Sequence, residues 1–155
     1  MARRLTEEQV TKFLLSWLIN QGWEIICFDF PQSGTGQILH PNQSVRTTRN
    51  KMAIIPDIVA IKNGVCIFLE NKDRFVLSDF HKISSLRAEN YYSEAIEKLL
   101  KNKEVEKIYF GVGLPYSKYA QTKTLENIDS IDFALIIENG EKTVLIIHQI
   151  AEIFI

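Results

Sequence analysis

Apolar residues along this chain recur with two spacings, one typical of helices and one typical of strands. From Val10 to Leu18 they recur every three or four positions, which predicts an amphipathic helix. Thr6 and Gln9 have the spacing of a capping box at its start. A second helical pattern covers about residues 78–101, with an expected interruption near Asn90. The pattern therefore predicts one early helix and an interrupted helical region in the middle of the chain.

The strand-like pattern is strongest on both sides of Asn63-Gly64, where two nearly continuous apolar runs meet. An Asn-Gly pair between such runs favours a hairpin with a two-residue turn. That turn pairs Lys62 with Val65, and the same register places Asp57 opposite Glu70. Further strands are expected at 23–30, 107–113, 133–137 and 143–147. This order predicts an α/β domain with a mixed sheet between helices and a C-terminal hairpin.

Side chains alternate between the two faces of a strand, so Asp57, Glu70 and Lys72 should share one face and Asn71 the other. Two carboxylates about 5 Å apart repel by on the order of 3 kcal/mol at an effective dielectric near 20. Either a retained proton or a bound divalent cation relieves this repulsion. Oxygen ligands beside a lysine favour Mg²⁺ or Mn²⁺ over zinc. A solvated ion-pair face is the alternative, although charged residues are uncommon in apolar strands of this kind.

Pro56-Asp57, twelve intervening residues and Glu70-Asn71-Lys72 resemble the signature of the PD-(D/E)XK nuclease superfamily. The resemblance covers roughly residues 5–113 and implies a restriction-endonuclease-like fold with an αβββαβ core. It also implies that Asp57 and Glu70 bind Mg²⁺, with Mn²⁺ as a substitute. The backbone carbonyl of Asn71 becomes a further candidate ligand, and Lys72 a residue that positions or activates the attacking water.

Two helices offer additional candidates for this site. Nucleases of the superfamily often carry a supplementary acid on the first helix, which makes Glu7 a candidate metal ligand. The alternative is that Glu7 only complements the positive end of the helix dipole. His81 and Lys82 lie near the start of the second helical region and are able to face the site, although a lone histidine is more often structural.

The polar segment 31–52 separates the first strand from the hairpin and is rich in turn-forming residues. A loop of this length in a compact domain is usually functional or disordered. Arg46, Arg49, Lys51 and His40 are its candidate DNA-binding residues, in contact with the DNA backbone or base edges. The alternative is a solvated loop without a ligand.

Composition limits the remaining possibilities. At 155 residues, the length predicts a single domain that covers 1–155. The net charge of −1 lacks the basic excess usual in proteins that bind nucleic acid alone. No apolar run reaches the roughly 20 residues of a membrane span, and the chain start lacks a signal-peptide pattern, so we expect a cytoplasmic protein without membrane contact. Cys27 and Cys66 are expected to be reduced, buried thiols.

The leading functional prediction is a Mg²⁺-dependent restriction-type endonuclease that hydrolyses phosphodiester bonds of double-stranded DNA. The chain looks similar to the small catalytic subunits of heterodimeric type IIS restriction enzymes, which cut one strand while a larger partner recognises the site. A self-dimer acting as a homodimeric type II enzyme is the near alternative. A resolvase or repair nuclease and a non-catalytic nuclease-like interaction subunit also stay open. The apolar end, 150–155, is expected to dock on the sheet or on another chain.

Overall fold

The computed structural model describes residues 5–30, 33–40, 54–88, 92–138 and 143–154. Its elements are α1 (Glu7–Asn20), β1 (Glu24–Phe28), β2 (Ile58–Lys62), β3 (Val65–Asn71), α2 (Leu77–Ala88), α3 (Ser93–Leu99), β4 (Lys107–Pro115), α4 (Lys118–Glu126), a 3₁₀ turn (Ile128–Ser130), β5 (Phe133–Glu138) and β6 (Thr143–Gln149). The expected helices and strands are therefore present in the expected order. The predicted helical region divides into α2 and α3, as its pattern indicated.

The six strands form one mixed sheet in the order β1-β2-β3-β4-β5-β6. The pairs β1–β2 and β2–β3 are antiparallel, β3–β4 and β4–β5 are parallel, and β5–β6 is antiparallel. Helices α2 and α3 lie in the crossover that connects the parallel strands β3 and β4. The predicted α/β class with a mixed sheet flanked by helices is confirmed, and the arrangement is compatible with a restriction-endonuclease-like fold.

The hairpin β2–β3 has the register expected from its turn. Asn63 and Gly64 both have positive φ, +50° and +79°, the combination that a type I′ turn requires. Pairing then runs from Lys62↔Val65 to Ile58↔Leu69. Both strands are buried along nearly their whole length. Charged groups at the open end of this hairpin are therefore held at the edge of an apolar core.

Alternation along the strands divides the core between the two faces of the sheet. Helix α1 packs its buried Val10, Leu14 and Leu18 on one face, against a cluster that includes Ile67 and Leu69 of β3. Helices α2 and α3 pack on the other face, against a cluster that includes Cys66 and Phe68 of the same strand. Each fully buried side chain of this size contributes roughly 1.5–3 kcal/mol. Successive residues of β3 therefore point to different helices.

The C-terminal segment docks on its own chain. Ile153 and Phe154 are buried, and the Phe154 ring lies 5.5 Å from Trp17, 5.7 Å from Trp23 and 5.1 Å from Phe133 between ring centroids. Of the two docking sites expected for this end, the α1 face of its own sheet is therefore the observed one.

Both cysteines are buried and unpaired, as expected. Burial raises the pKa of the Cys27 thiol to about 11 and that of Cys66 to about 12, which keeps them protonated and poorly reactive. Within the described ranges, no helix combines the length and apolar character that a membrane crossing needs.

Candidate functional site

The regular hairpin ladder ends one residue before the predicted pair of acids. The Asp57 N–H donates to the carbonyl of Leu69 at 3.1 Å, which is one position out of register with the ladder. The Asp57 Oδ2 atom accepts a hydrogen bond of 2.7 Å from the Asn71 N–H. The carboxylate thus takes a main-chain donor at the end of the ladder, directly after Pro56, which has no N–H to offer. This irregularity fixes the Asp57 side chain against the end of β3.

Asp57 and Glu70 are each only 5% exposed. Burial, followed by the negative charge of Glu70, raises the pKa of Asp57 from 3.8 to about 8, while the Asn71 hydrogen bond lowers it by less. Burial also raises the pKa of Glu70, against the opposing charge of Lys82. The charge of Glu70 therefore acts on Asp57, although the regular pairing of the hairpin ends at Ile58↔Leu69 and does not include these two acids. Without a cation, a proton held by the pair relieves their repulsion.

Lys82 of α2 supplies the nearest positive charge to Glu70. Its Nζ donates to Glu70 Oε1 at 2.9 Å, and its side chain is 30% exposed. Lys82 was one of two helix residues expected to be able to face the site, and it does so. The other, His81, is exposed. Their different directions follow from the helical repeat, which turns adjacent residues about 100° apart.

Asp79 is a further buried acid beside this group. It lies on α2, is 9% exposed, and its Oδ2 atom has no hydrogen-bond partner among the described residues. Burial raises the pKa of Asp79, although the positive charges of Lys72 and Lys82 oppose that shift. A buried carboxylate oxygen without a hydrogen-bond donor lowers the stability of the folded chain. Such a group is retained more readily at a functional site than in a structural core.

Lys72 directly follows β3, and its side chain contacts α1. Its Nζ is 3.5 Å from Glu7 Oε1, with side chains 32% and 25% exposed. Burial acts against the charge on Lys72, but the carboxylates of Asp79 and Glu7 outweigh it and raise the pKa of the lysine. Lys72 is therefore a protonated, partly accessible ammonium. Glu7 contacts this ammonium, and its part in holding a metal stays a prediction.

Asn71 points to the α1 face, as the alternation predicted. Its Nδ2 donates to Thr11 Oγ1 at 3.1 Å, and Thr11 donates in turn to the Glu7 carbonyl at 3.0 Å. The Asn71 side chain is fully buried, and a Cβ at Gly113 would collide with its Oδ1 and with Leu14. Glycine at that position lets α1 approach β3 and β4 closely. Asn71 thus links Asp57 to α1, through its N–H on one side and its side chain on the other.

The donor set has the chemistry of a hard-metal site. Two adjacent buried carboxylates with raised pKa values are stabilised by a divalent cation, and both offer oxygen ligands, which Mg²⁺ prefers. Among the described residues, no group of three or more Asp, Glu, His or Cys side chains is arranged to hold a metal ion. Mg²⁺ usually keeps several waters and takes one or two protein carboxylates, so the pair Asp57 and Glu70 is compatible with this ion. The Asn71 carbonyl as a further ligand stays a prediction.

The candidate DNA-binding residues of the long loop are only partly described. Arg46, Arg49 and Lys51 lie outside the described residues. His40 is exposed and lines a cavity of about 520 Å³ together with Ile38 and residues of α3. The residues that line this cavity do not include Asp57, Glu70 or Lys72.

The sequence pattern indicated that Lys82 is able to face the site but did not single out Asp79. A signal for Asp79 was its spacing from Lys82, because residues three apart on a helix lie on the same face. What the pattern did not reveal is which face of α2 meets β3. That depends on the packing of Phe80, Ile83 and Leu86 into the core.

No protein-family model and no curated protein matches this chain. Among solved structures, the chain is similar to the crystal structure of a FdxN element excision controlling factor protein from Anabaena variabilis. The identity is 16%, the TM-score is 0.47, and the match covers 90% of this chain and 98% of the other. A likeness this low carries no argument about the chain's function.

Proposed function

We propose that this protein is a Mg²⁺-dependent DNA endonuclease that hydrolyses phosphodiester bonds of double-stranded DNA. The observation that carries the proposal is the pairing of Asp57 and Glu70, two buried acids with raised pKa values, beside the protonated Lys72. Perturbed acids grouped with a partner of opposite charge are typical of functional sites. The signature Pro56-Asp57…Glu70-Asn71-Lys72 supports the same chemistry.

The residues of the chain take separate roles in this reaction. Asp57 and Glu70 would hold Mg²⁺, which would supply positive charge to stabilise the phosphate during attack. The Lys72 ammonium donates hydrogen bonds to the attacking water or to a phosphate oxygen. Glu7 keeps that ammonium oriented through its contact at 3.5 Å. Asn71 fixes Asp57 through its N–H and anchors the group to α1 through Thr11.

DNA reaches the site over the ends of β3 and β4. The Lys72 N–H donates to the Gly113 carbonyl at 3.1 Å, so the segments that follow the two strands lie side by side. The β4 segment continues into Tyr116, Lys118 and Tyr119, all exposed, and Tyr119 packs its ring against Phe75 at 6.2 Å. Exposed lysines and aromatic rings at this edge support contacts to phosphates and bases.

Target recognition is proposed to come from a larger partner subunit, with this chain cutting one strand. The net charge of −1 supports this division, because a protein that grips DNA alone usually has a clear basic excess. The near alternative, a homodimeric type II enzyme, predicts double-strand cuts by the purified chain. A resolvase or repair nuclease would prefer branched or damaged DNA to intact duplex.

The test is cleavage of supercoiled plasmid by the full chain with Mg²⁺, alone and with candidate partner subunits. Asp57→Asn and Lys72→Met are each expected to lower the rate at least about 10³-fold, because each removes transition-state stabilisation of roughly 4 kcal/mol. Lys107→Met is the matched control, since this exposed lysine lies at the opposite end of β4. Wild-type activity in either site variant would refute the proposal and would favour a non-catalytic interaction subunit.

A further inference from the structure

Glu70 is already paired with a positive charge. Glu70 is buried, and its Oε1 already accepts a hydrogen bond of 2.9 Å from Lys82. An ammonium at that distance supplies the positive charge that a divalent cation would supply. A metal at Asp57 and Glu70 would therefore compete with Lys82 for the same oxygen ligand.

Asp79 offers Lys82 a second position. Asp79 precedes Lys82 by three residues on α2, which places both side chains on one face of the helix. The Asp79 Oδ2 atom is buried without a hydrogen-bond donor among the described residues. Lys82 and Asp79 also interact electrostatically: burial raises the pKa of Asp79, and the charges of Lys72 and then Lys82 lower it. A lysine that leaves Glu70 has an unsatisfied carboxylate oxygen within one helical turn.

We propose that Lys82 is a resident counter-cation of this site, which neutralises Glu70 until a divalent metal binds and then pairs with Asp79. The inference rests on the proposed function, because it takes Asp57 and Glu70 as the metal ligands. It assigns α2 two positioning residues that the signature motif does not contain. Lys82 sets the affinity for the metal, and Asp79 lowers the energetic cost of displacing the lysine.

The occupied and unoccupied arrangements differ in the pairing of both side chains. Before metal binding, Lys82 satisfies Glu70 and one oxygen of Asp79 is left without a donor. After metal binding, the cation satisfies Glu70 and Lys82 satisfies Asp79. The metal-bound state therefore has one fewer buried carboxylate oxygen without a hydrogen-bond donor. The 30% exposure of the Lys82 side chain leaves room for it to move.

The test is calorimetric titration of the full chain with Ca²⁺, which occupies oxygen-ligand sites and needs no DNA or turnover. Lys82→Met is expected to tighten Ca²⁺ binding roughly tenfold, the factor that corresponds to about 1.4 kcal/mol. Lys82→Gln is a second variant in case the first does not fold. Lys103→Met is the matched control, because Lys103 pairs with Glu24 at 2.5 Å in another ion pair of the chain.

Asp79 is tested in the same titration, in two backgrounds. Asp79→Asn is expected to weaken Ca²⁺ binding several-fold when Lys82 is present and distinctly less when Lys82 is replaced. An equal loss in both backgrounds would contradict the transfer of Lys82 to Asp79, since it would mean that Asp79 acts only through its own charge. Unchanged or weaker binding by both Lys82 variants would overturn the counter-cation role.

The proposed function fails in a different way. If the wild-type chain and every Lys82 variant lack a Ca²⁺ site that Asp57→Asn abolishes, both the nuclease proposal and the counter-cation are refuted. If the wild-type chain binds Ca²⁺ through Asp57 but the Lys82 variants bind no tighter, only the counter-cation is refuted.

Discussion

Two aspartates of this protein occupy similar positions and have opposite surroundings. Asp57 comes directly before β2 and Asp132 directly before β5, and each is 5% exposed. Each accepts a hydrogen bond from a backbone N–H of a neighbouring strand, 2.7 Å from Asn71 and 2.9 Å from Phe110. The local construction of the two sites is thus nearly the same.

The difference lies in the next charge. Asp132 meets Arg87 of α2, whose Nη1 is 2.9 Å from Oδ1 and whose Nη2 donates to the Asp129 carbonyl. Asp57 instead lies beside Glu70, a like charge that adds to the effect of burial in raising the pKa of Asp57. A buried acid with a guanidinium and an N–H is a satisfied structural contact. A buried acid beside another acid is incomplete without a proton or a cation, which is the property of a binding site.

Removing the Asp132 carboxylate should have the largest effect on stability. Asp132→Ala leaves the Arg87 charge and the Phe110 N–H without their partner, so we expect a loss of about 3–5 kcal/mol in the free energy of unfolding. Urea unfolding measures this loss, with the exposed Asp129→Asn as control. A loss below about 1 kcal/mol would mean that the two aspartates do not differ as their contacts indicate.

A divalent cation should stabilise the site of Asp57 and have no such effect at Asp132. A ligand at 100 times its dissociation constant adds about 2.7 kcal/mol to the free energy of unfolding. We expect a gain of this size for the wild-type chain in saturating Ca²⁺ and none for Asp57→Asn. Thermal unfolding with and without Ca²⁺ measures it. An equal gain in stability for the wild-type chain and Asp57→Asn would show that Ca²⁺ binds at a site that does not include Asp57.

Asp57→Asn should stabilise the metal-free protein at pH 8. The pKa of Asp57 rises from 3.8 to about 8 on folding, so the folded chain retains a proton that the unfolded chain releases. Its contribution to stability is therefore complete below about pH 4 and is lost as the pH rises toward 8. The amide has no proton to release, and we expect a gain on the order of 2 kcal/mol at pH 8.

The stability gain of Asp57→Asn should become smaller as the pH falls from 8 toward 4. Unfolding of the wild-type chain and the variant, both in the presence of a chelator, measures it at each pH. A constant difference at all pH values would show that the effect comes from packing and not from ionisation. A stability loss at pH 8 would contradict the raised pKa itself.

The smallest expected effect concerns DNA affinity at the edge near Lys72. Lys118→Ala and Tyr119→Ala should each weaken duplex binding about threefold to tenfold in Ca²⁺, the scale of one phosphate contact or one stacked ring. Fluorescence anisotropy with a labelled duplex measures this, with Lys107→Ala and Leu125→Ala as the charged and apolar controls. Equal losses of affinity in the controls would show that Lys118 and Tyr119 are not part of the DNA-binding surface.

The hairpin could be predicted from the sequence because its determinants are local. Asn63-Gly64 favours one turn type, and the period of two then assigns every side chain between Asp57 and Asn71 to a face. The capping box at Thr6 and Gln9 is another local rule, and its two hydrogen bonds are present at 2.9 and 3.2 Å. Within such short segments, backbone geometry leaves few alternatives.

The contacts that complete the site were decided by tertiary packing. Lys72 meets Glu7 across 65 positions of the chain, and Lys82 meets Glu70 only because α2 packs its apolar side on the sheet at one particular rotation. The same applies to Asp132, whose partner Arg87 lies 45 positions away. Periodicity identifies which residues share a face of an element, whereas the depth and rotation at which elements pack determine which charges meet.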